Sequence, residues 1–119
     1  MATITPTITN YPQYGDFCKR VRWLLGNADV GVPVDLGGFS DRSVHVSGTF
    51  GGATIVFKGS NNDSVSGVVL TDPQGNAITK TSESIEAVTE LTQTVWPESS
   101  GGTGTAVIVD LFMHKVYGP

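Results

Sequence analysis

Period-two alternation of apolar and polar residues dominates this chain from about residue 20 onward. Residues 43–62, SVHVSGTFGGATIVFKGSNN, carry it most clearly. Glycine accepts the positive φ angles of tight hairpin turns, so Gly51-Gly52 predicts a two-residue turn. The pairing then sets Phe50 opposite Ala53, Gly48 opposite Ile55 and Val46 opposite Phe57, all on one face of a β-hairpin. His45, Ser47, Thr49, Thr54, Val56 and Lys58 fall on the other face. Residues 105–116 predict the longest strand, with Val107, Val109, Leu111 and Met113 on one side and Ala106, Ile108, Asp110, Phe112 and His114 on the other. In residues 17–25, Phe17, Val21, Trp23 and Leu25 oppose Cys18, Arg20, Arg22 and Leu24. Lys19 breaks that alternation, which starts the strand near Arg20. Val46, Ile55, Phe57, Val107, Val109 and Leu111 are the predicted common core.

Turn chemistry divides the rest. Residues 26–29, 37–41, 72–76 and 99–104 read as turns, and 59–67 as an Asn/Asp/Ser loop whose side chains satisfy their own backbone. Residues 32–36, 68–71 and 77–81 read as short strands, and 92–96 as a strand ended by Pro97. Residues 82–91 fit two patterns. Ser82 or Ser84 with Glu83 or Glu86 suits a helix start, while Ile85, Ala87 and Thr89 alternate with Glu86, Val88 and Glu90. In an otherwise all-β chain the strand reading prevails. The sum is about eight short strands, the pattern of an antiparallel β-sandwich of jelly-roll-like type. It occupies residues 15–119 as a single domain, after an extended N-terminal arm at 1–14 that is rich in Thr and Pro and has no period. The arm is either a loose terminus or a segment that adds to a neighbouring chain, with Ile4 and Ile8 as anchors.

Composition narrows the function. A 119-residue chain with 39% hydrophobic residues, 15 Gly and 15% charged residues suits one turn-rich β domain. A net charge of −4 argues against a general nucleic-acid partner, which needs a basic stripe. The chain has no apolar run near the roughly 20 residues that span a bilayer, and no Sec-type start is visible, so no membrane partner is expected. Cys18 is the lone cysteine and excludes an internal disulfide, which is compatible with folding in a cytoplasm.

Candidate chemistry is sparse. His45 and His114 lie mid-strand on outward faces, short of the three or four ligands of a zinc site, and Cys18 has no local nucleophile signature. Asn61, Asn62 and Asp63 offer oxygens but only one carboxylate to calcium. Gly51-Gly52 and residues 101–104 lack the Lys-Ser/Thr of a phosphate loop. The expectation is a non-enzyme with no cofactor and no metal. Of the tryptophans, Trp23 points to the apolar side, which leaves Trp96 as the one sugar-stacking platform for a carbohydrate-binding module.

Four pieces stand in order: SDRSVHVSGTFGGATIVFKGSNN at 40–62, LTDPQGNAIT at 70–79, SIEAVTEL at 84–91 and SGGTGTAVIVDL at 100–111. Together they resemble a family of small structural proteins of tailed-phage virions, of the capsid decoration or cement type. The resemblance covers about the last two-thirds of the chain, and the first third, through Gly38, lies outside it. It implies a jelly-roll-like sandwich on the capsid surface, made in the host cytoplasm, that binds the major capsid protein and stabilises the shell. A tail or baseplate component on the same sandwich, or a carbohydrate-binding module, is the alternative. The loop at 59–65 departs from similar sequences in lacking an aromatic, which weakens sugar stacking there. Interface candidates are Ile4, Ile8, Arg20, Arg22, Ile108 and Phe112. Ile108 and Phe112 are apolar at outward positions, covered either by the protein's own chain or by another subunit. A homo-oligomer is expected, dimer favoured over trimer, because two-fold closure is the commonest arrangement.

Overall fold

The computed structural model describes residues 2–12, 18–35 and 39–115. Phe17, Gly37-Gly38 of the expected turn, the arm's end at Gln13 and Tyr14, and the tail from Val116 lie outside the described residues. Strands β1 (Thr3–Ile4), β2 (Thr7–Asn10), β3 (Cys18–Leu25), β4 (Val30–Gly31), β5 (Val34–Asp35) and β6 (Asp41–Thr49) come first. They are followed by β7 (Thr54–Ser60), β8 (Val68–Val69), β9 (Thr79–Lys80), β10 (Ser84–Ala87), β11 (Thr94–Ser100) and β12 (Ala106–His114). The sequence reading of about eight strands lacks β1 and β2, which lie in the stretch read as an arm, and β4, which directly follows the turn at 26–29. The ambiguous segment at 82–91 holds a strand, β10, as its alternation indicated.

The strands form two packed sheets. One runs β10-β6-β12-β3-β2 and is called the β12 sheet below. The other, the β11 sheet, runs β1-β4-β11-β7-β8, with β5 beside β11 and β9 beside β7. The pairings are antiparallel except β1 with β4, which is parallel. The expected arm is extended, but β1 pairs with β4 in one sheet and β2 with β3 in the other, so residues 3–10 edge both sheets of their own sandwich.

The predicted hairpin is not formed. Its turn is present: Ala53 N–H donates to Phe50 O at 2.9 Å, and Gly51 and Gly52 have φ of +59° and +85°. Beyond it the strands part. β6 has β12 on one flank and β10 on the other, whereas β7 pairs with β11 across Thr54 to Ser60. Gly48 takes part in this corner with φ +105°, where a Cβ would lie 2.4 Å from the Ala106 carbonyl oxygen. Val46 and Phe57 therefore lie in opposite sheets of one core instead of side by side in one sheet. Period-two alternation dictates which side of a strand is buried, and both arrangements bury the same residues.

Pro97 gives a second correction. It does not end a strand but sits inside β11, opposite Phe57. On its other flank β4 pairs at Glu98 and β5 at Thr94 and Val95, which leaves Pro97 at a gap between two short partners. A missing N–H interrupts no ladder there.

The core lies between the sheets. Val46, Ile55, Phe57, Val107, Val109 and Leu111 are all buried in it, together with Val21, Trp23, Leu25, Val44 and Val95. Trp23 meets Phe57 edge-on with ring centroids 6.3 Å apart, and its indole N–H donates to Val32 O at 3.0 Å. Arg42 is buried, and among the described residues it has no carboxylate partner. Its guanidinium donates to the carbonyls of Phe39, Glu90 and Thr92, which ties the start of β6 to the strand-free stretch before β11. Desolvation pulls its pKa below the usual arginine value.

Candidate functional site

The two outer faces of the sandwich differ. On the β11 sheet, Trp96 lies opposite Lys58 yet is only 6% exposed. Residues 61–67 form a lid over it: a Cβ on Gly67 would stand 2.4 Å from the indole ring, so only glycine passes there. The indole N–H donates to Glu98 Oε2 at 2.9 Å. Trp96 is therefore no open sugar platform, and the carbohydrate-binding alternative loses the one aromatic it rested on. The lid is knitted by its own polar side chains. Asn62 Oδ1 accepts from Ser60 Oγ and from the Ser66 amide, while Gln93 bridges to both Asn61 and Asp63. The oxygens proposed for calcium are thus engaged in turn hydrogen bonds.

The outer face of the β12 sheet carries three cross-strand rows, set by the register of β12 between β6 and β3. The rows are Ser47–Ile108–Leu24, His45–Asp110–Arg22 and Ser43–Phe112–Arg20. The central row is charged but compensated. Arg22 Nε donates to Asp110 Oδ1 at 2.7 Å and Nη2 to Oδ2 at 3.0 Å, a two-pronged pair that raises the Arg22 pKa chiefly through those hydrogen bonds. The first row is apolar at Ile108 and Leu24, beside Ser47. Leu24 is 60% exposed and borders an open hollow of about 350 Å³ with Gly26, Thr105, Ala106 and Ile108. In the last row Phe112 is 38% exposed and leans on the Tyr11 ring, centroids 5.8 Å apart. Arg20 Nη2 reaches Thr9 Oγ1 at 3.5 Å, while its Nε is sealed in without a partner. Ile85, 64% exposed, extends the face across β10.

Of the sequence-predicted interface residues, Arg20, Arg22, Ile108 and Phe112 therefore come together on this face. The cover by the protein's own chain is present at Phe112, which meets Tyr11 of the N-terminal segment, whereas Ile108 borders the open hollow. Ile4 and Ile8 do not join them. Ile4 is half-buried against the core from β1, and Ile8 sits on the edge strand β2 opposite Val21. Leu24 and Ile85 were not singled out, although Leu24 already stood at an outward position beside Arg20 and Arg22 in the alternation. That mismatch of an apolar residue on a polar parity was the available signal.

Nothing gathers around the histidines. His45 Nε2 lies 3.0 Å from Glu83 Oε2, and His114 Nδ1 lies 3.7 Å from Asp41 Oδ2. Cys18 is opposite His114 in the ladder, but its side chain is buried while the exposed imidazole turns toward Asp41. Among the described residues no three His, Cys, Asp or Glu side chains form a group able to hold a metal ion.

No protein-family model and no curated protein sequence matches this chain. Solved structures do share its fold. It is similar to SPBc2 prophage-derived protein YomS at a TM-score of 0.58 and 15% identity, over 81% of this chain and 93% of that one. It is also similar to a cupin domain from Bordetella pertussis at a TM-score of 0.50 and 10% identity, over 98% of this chain and 96% of that one. At these identities the likeness is one of fold, and it sets the chain among antiparallel sandwiches of jelly-roll type.

Proposed function

We propose that this protein is a structural component of a tailed-phage virion that docks on the major capsid protein and stabilises the shell. One observation carries the reading. The β11 sheet is capped over Trp96, with Val65 and Val68 exposed on the cap and its edge strand, while the β12 sheet leaves Leu24, Ile85 and Phe112 exposed on the strands around a neutralised Arg22–Asp110 pair. Exposed apolar residues rimmed by polar ones are the composition of a protein-binding surface. The sequence pieces that resemble virion proteins and the fold shared with a prophage-derived protein agree with it. Docking acts by burying area across subunit seams, with no chemical step.

The test is co-sedimentation of purified protein with empty heads of the phage that encodes it, followed by heating of the loaded heads. Wild-type protein should sediment with the heads and raise the temperature at which they rupture. Leu24→Glu places a charge in the apolar row and should abolish both effects. Val68→Glu, at a 73% exposed position on the β11 sheet, should leave them intact. Failure of the wild type to bind, or equal binding by Leu24→Glu, would refute the proposal.

A further inference from the structure

Native sandwiches guard their edge strands with charges, prolines or bulges, because an open ladder recruits other strands. The edge made by β2 is not guarded by charge. Residues 2–15 contain no Asp, Glu, Lys or Arg, and β2 itself reads Thr-Ile-Thr-Asn. β2 ends its sheet, with β3 as its one paired neighbour among the described residues. The ladder's geometry says which groups are open. Tyr11 N–H donates to Cys18 O at 3.3 Å, directly across the β2–β3 register. Hydrogen-bonded and non-bonded pairs alternate in an antiparallel ladder. Thr9 and Thr7 thus also face β3, and Ile8 and Asn10 turn their N–H and C=O groups away from the sheet.

We infer that this edge pairs with the β2 edge of a second copy, antiparallel and about a two-fold axis normal to the sheet. Opposed residues must share a face, so Ile8 meets the partner's Ile8 and Thr7 meets the partner's Thr9. The two Ile8 residues exchange N–H···O=C bonds, and each Asn10 N–H reaches the carbonyl of the partner's Pro6. Pro6 has no N–H to return, so each Asn10 carbonyl at the ends of this short ladder stays with water. Ile8, 52% exposed in the single chain on the core-facing side of its strand, becomes covered by its own twin. Self-pairing also sets each residue near its own copy, which like charges oppose. β2 itself carries none, and the charges nearest the two edge strands, Arg20 at Thr9 and Asp29 at the Ala2 amide, are each held by a hydrogen bond within their own chain. The opposite edge is unsuited: β10 would bring Glu83 and Glu86 near their copies.

A two-fold normal to the sheet points both β12-sheet outer faces the same way, as one doubled surface. That consequence rests on the shell-docking reading; the pairing itself does not. A four-residue ladder is small beside the roughly 1,600 Å² of a standard interface, so the free dimer should be weak and tighten when both faces engage a surface.

Sedimentation velocity without heads tests it. The wild type should dimerise at concentrations on the order of 100 µM. Ile8→Lys should weaken the dimer tenfold or more while the melting temperature holds, because Ile8 is not a core residue. Ile8→Cys should oxidise to a covalent dimer, since opposed Cα atoms of a bonded pair lie about 5.5 Å apart, within disulfide reach. Thr9→Cys, opposite a threonine, should not. A wild type that stays monomeric, a dimer unaffected by Ile8→Lys, or cross-linking by Thr9→Cys instead of Ile8→Cys would each overturn the inference, whatever the outcome with heads.

Discussion

Replacing Phe57 by Ala tests whether the two sheets are packed as described. Phe57 is 1% exposed, lies on β7, and faces Trp23 of the opposite sheet edge-on at 6.3 Å and 70°. Cutting a buried phenylalanine to alanine loses transfer free energy and leaves a cavity, together about 3–5 kcal/mol. The edge-on contact with Trp23 contributes about 0.5–1.5 kcal/mol of that loss. Domains of this size hold a stability of about 5–15 kcal/mol, so the variant should still fold but close to its limit. At about 3–6 °C per kcal/mol, the midpoint should fall by roughly 10–25 °C. Phe112→Ala is the matched control, since Phe112 is 38% exposed on the outer face and touches chiefly Tyr11. Its loss should be near or below about 1 kcal/mol. Thermal melts and urea titrations of both variants read the difference, with an unchanged denaturant slope showing that only stability has moved. If Phe57→Ala lowers the midpoint no more than Phe112→Ala, Phe57 does not lie between the sheets.

Two further outcomes follow from polar groups. Glu90 accepts hydrogen bonds from the Thr71 amide and hydroxyl, which hold its carboxylate below the ordinary value of 4.5. A depressed folded pKa adds stability above the unfolded value and loses it as pH falls through the folded one, so melting temperature should drop below pH 4.5 and Thr71→Val should flatten that drop. A titration unchanged by Thr71→Val would show that Glu90 is not the group responsible. Treatment with EDTA should leave the melting temperature unmoved, because the oxygens of Asn61, Asn62 and Asp63 are already engaged within the lid and by Gln93. A fall that calcium reverses would turn residues 61–63 into a metal site.

Burial was legible from the sequence wherever alternation ran longer than four or five residues, as at β6, β7 and β12, because a strand's inward side depends only on its own period. Pairing was not legible. The apolar faces of β6 and β7 are the same whether they form a hairpin or span the core, and the choice is made by residues far away, β12 and β11. Pro97 was misread for the same reason. A proline ends a strand when both flanks are paired, and here one flank is open at that residue because β4 and β5 are too short to reach it. The lid over Trp96 rests on Gly67, which in the sequence was one more loop glycine; only the 2.4 Å approach to the indole distinguishes it. Of the six interface residues, Ile4 and Ile8 were chosen as anchors of the arm and the other four for apolar or charged character at strand positions. Those four converge because β3 and β12 are neighbours in register.

The N-terminal segment shows the limit most sharply, because it presents the same local sequence twice. Thr3-Ile4-Thr5-Pro6 is followed at once by Thr7-Ile8-Thr9-Asn10. Equal sequence predicts equal behaviour, and as secondary structure the two halves agree, each forming an edge strand. Their isoleucines nonetheless part company: Ile4 packs against the core, whereas Ile8 is 52% exposed. The link between them is two residues, and Pro6 holds it extended, so the chain crosses from one sheet to the other without room for a helix or a turn. Ile4 joins a parallel pair beside β4, whose ladder bonds run Val30 N–H to Ala2 O and Val32 N–H to Ile4 O at 2.9 and 2.8 Å. Ile8 instead lies on the last strand of its sheet, with no further strand beside it among the described residues. The difference is supplied by the neighbours and not by the residues. An isoleucine half out of water on an uncharged, open ladder has the same need as its twin, and in a single chain only one of the two is met.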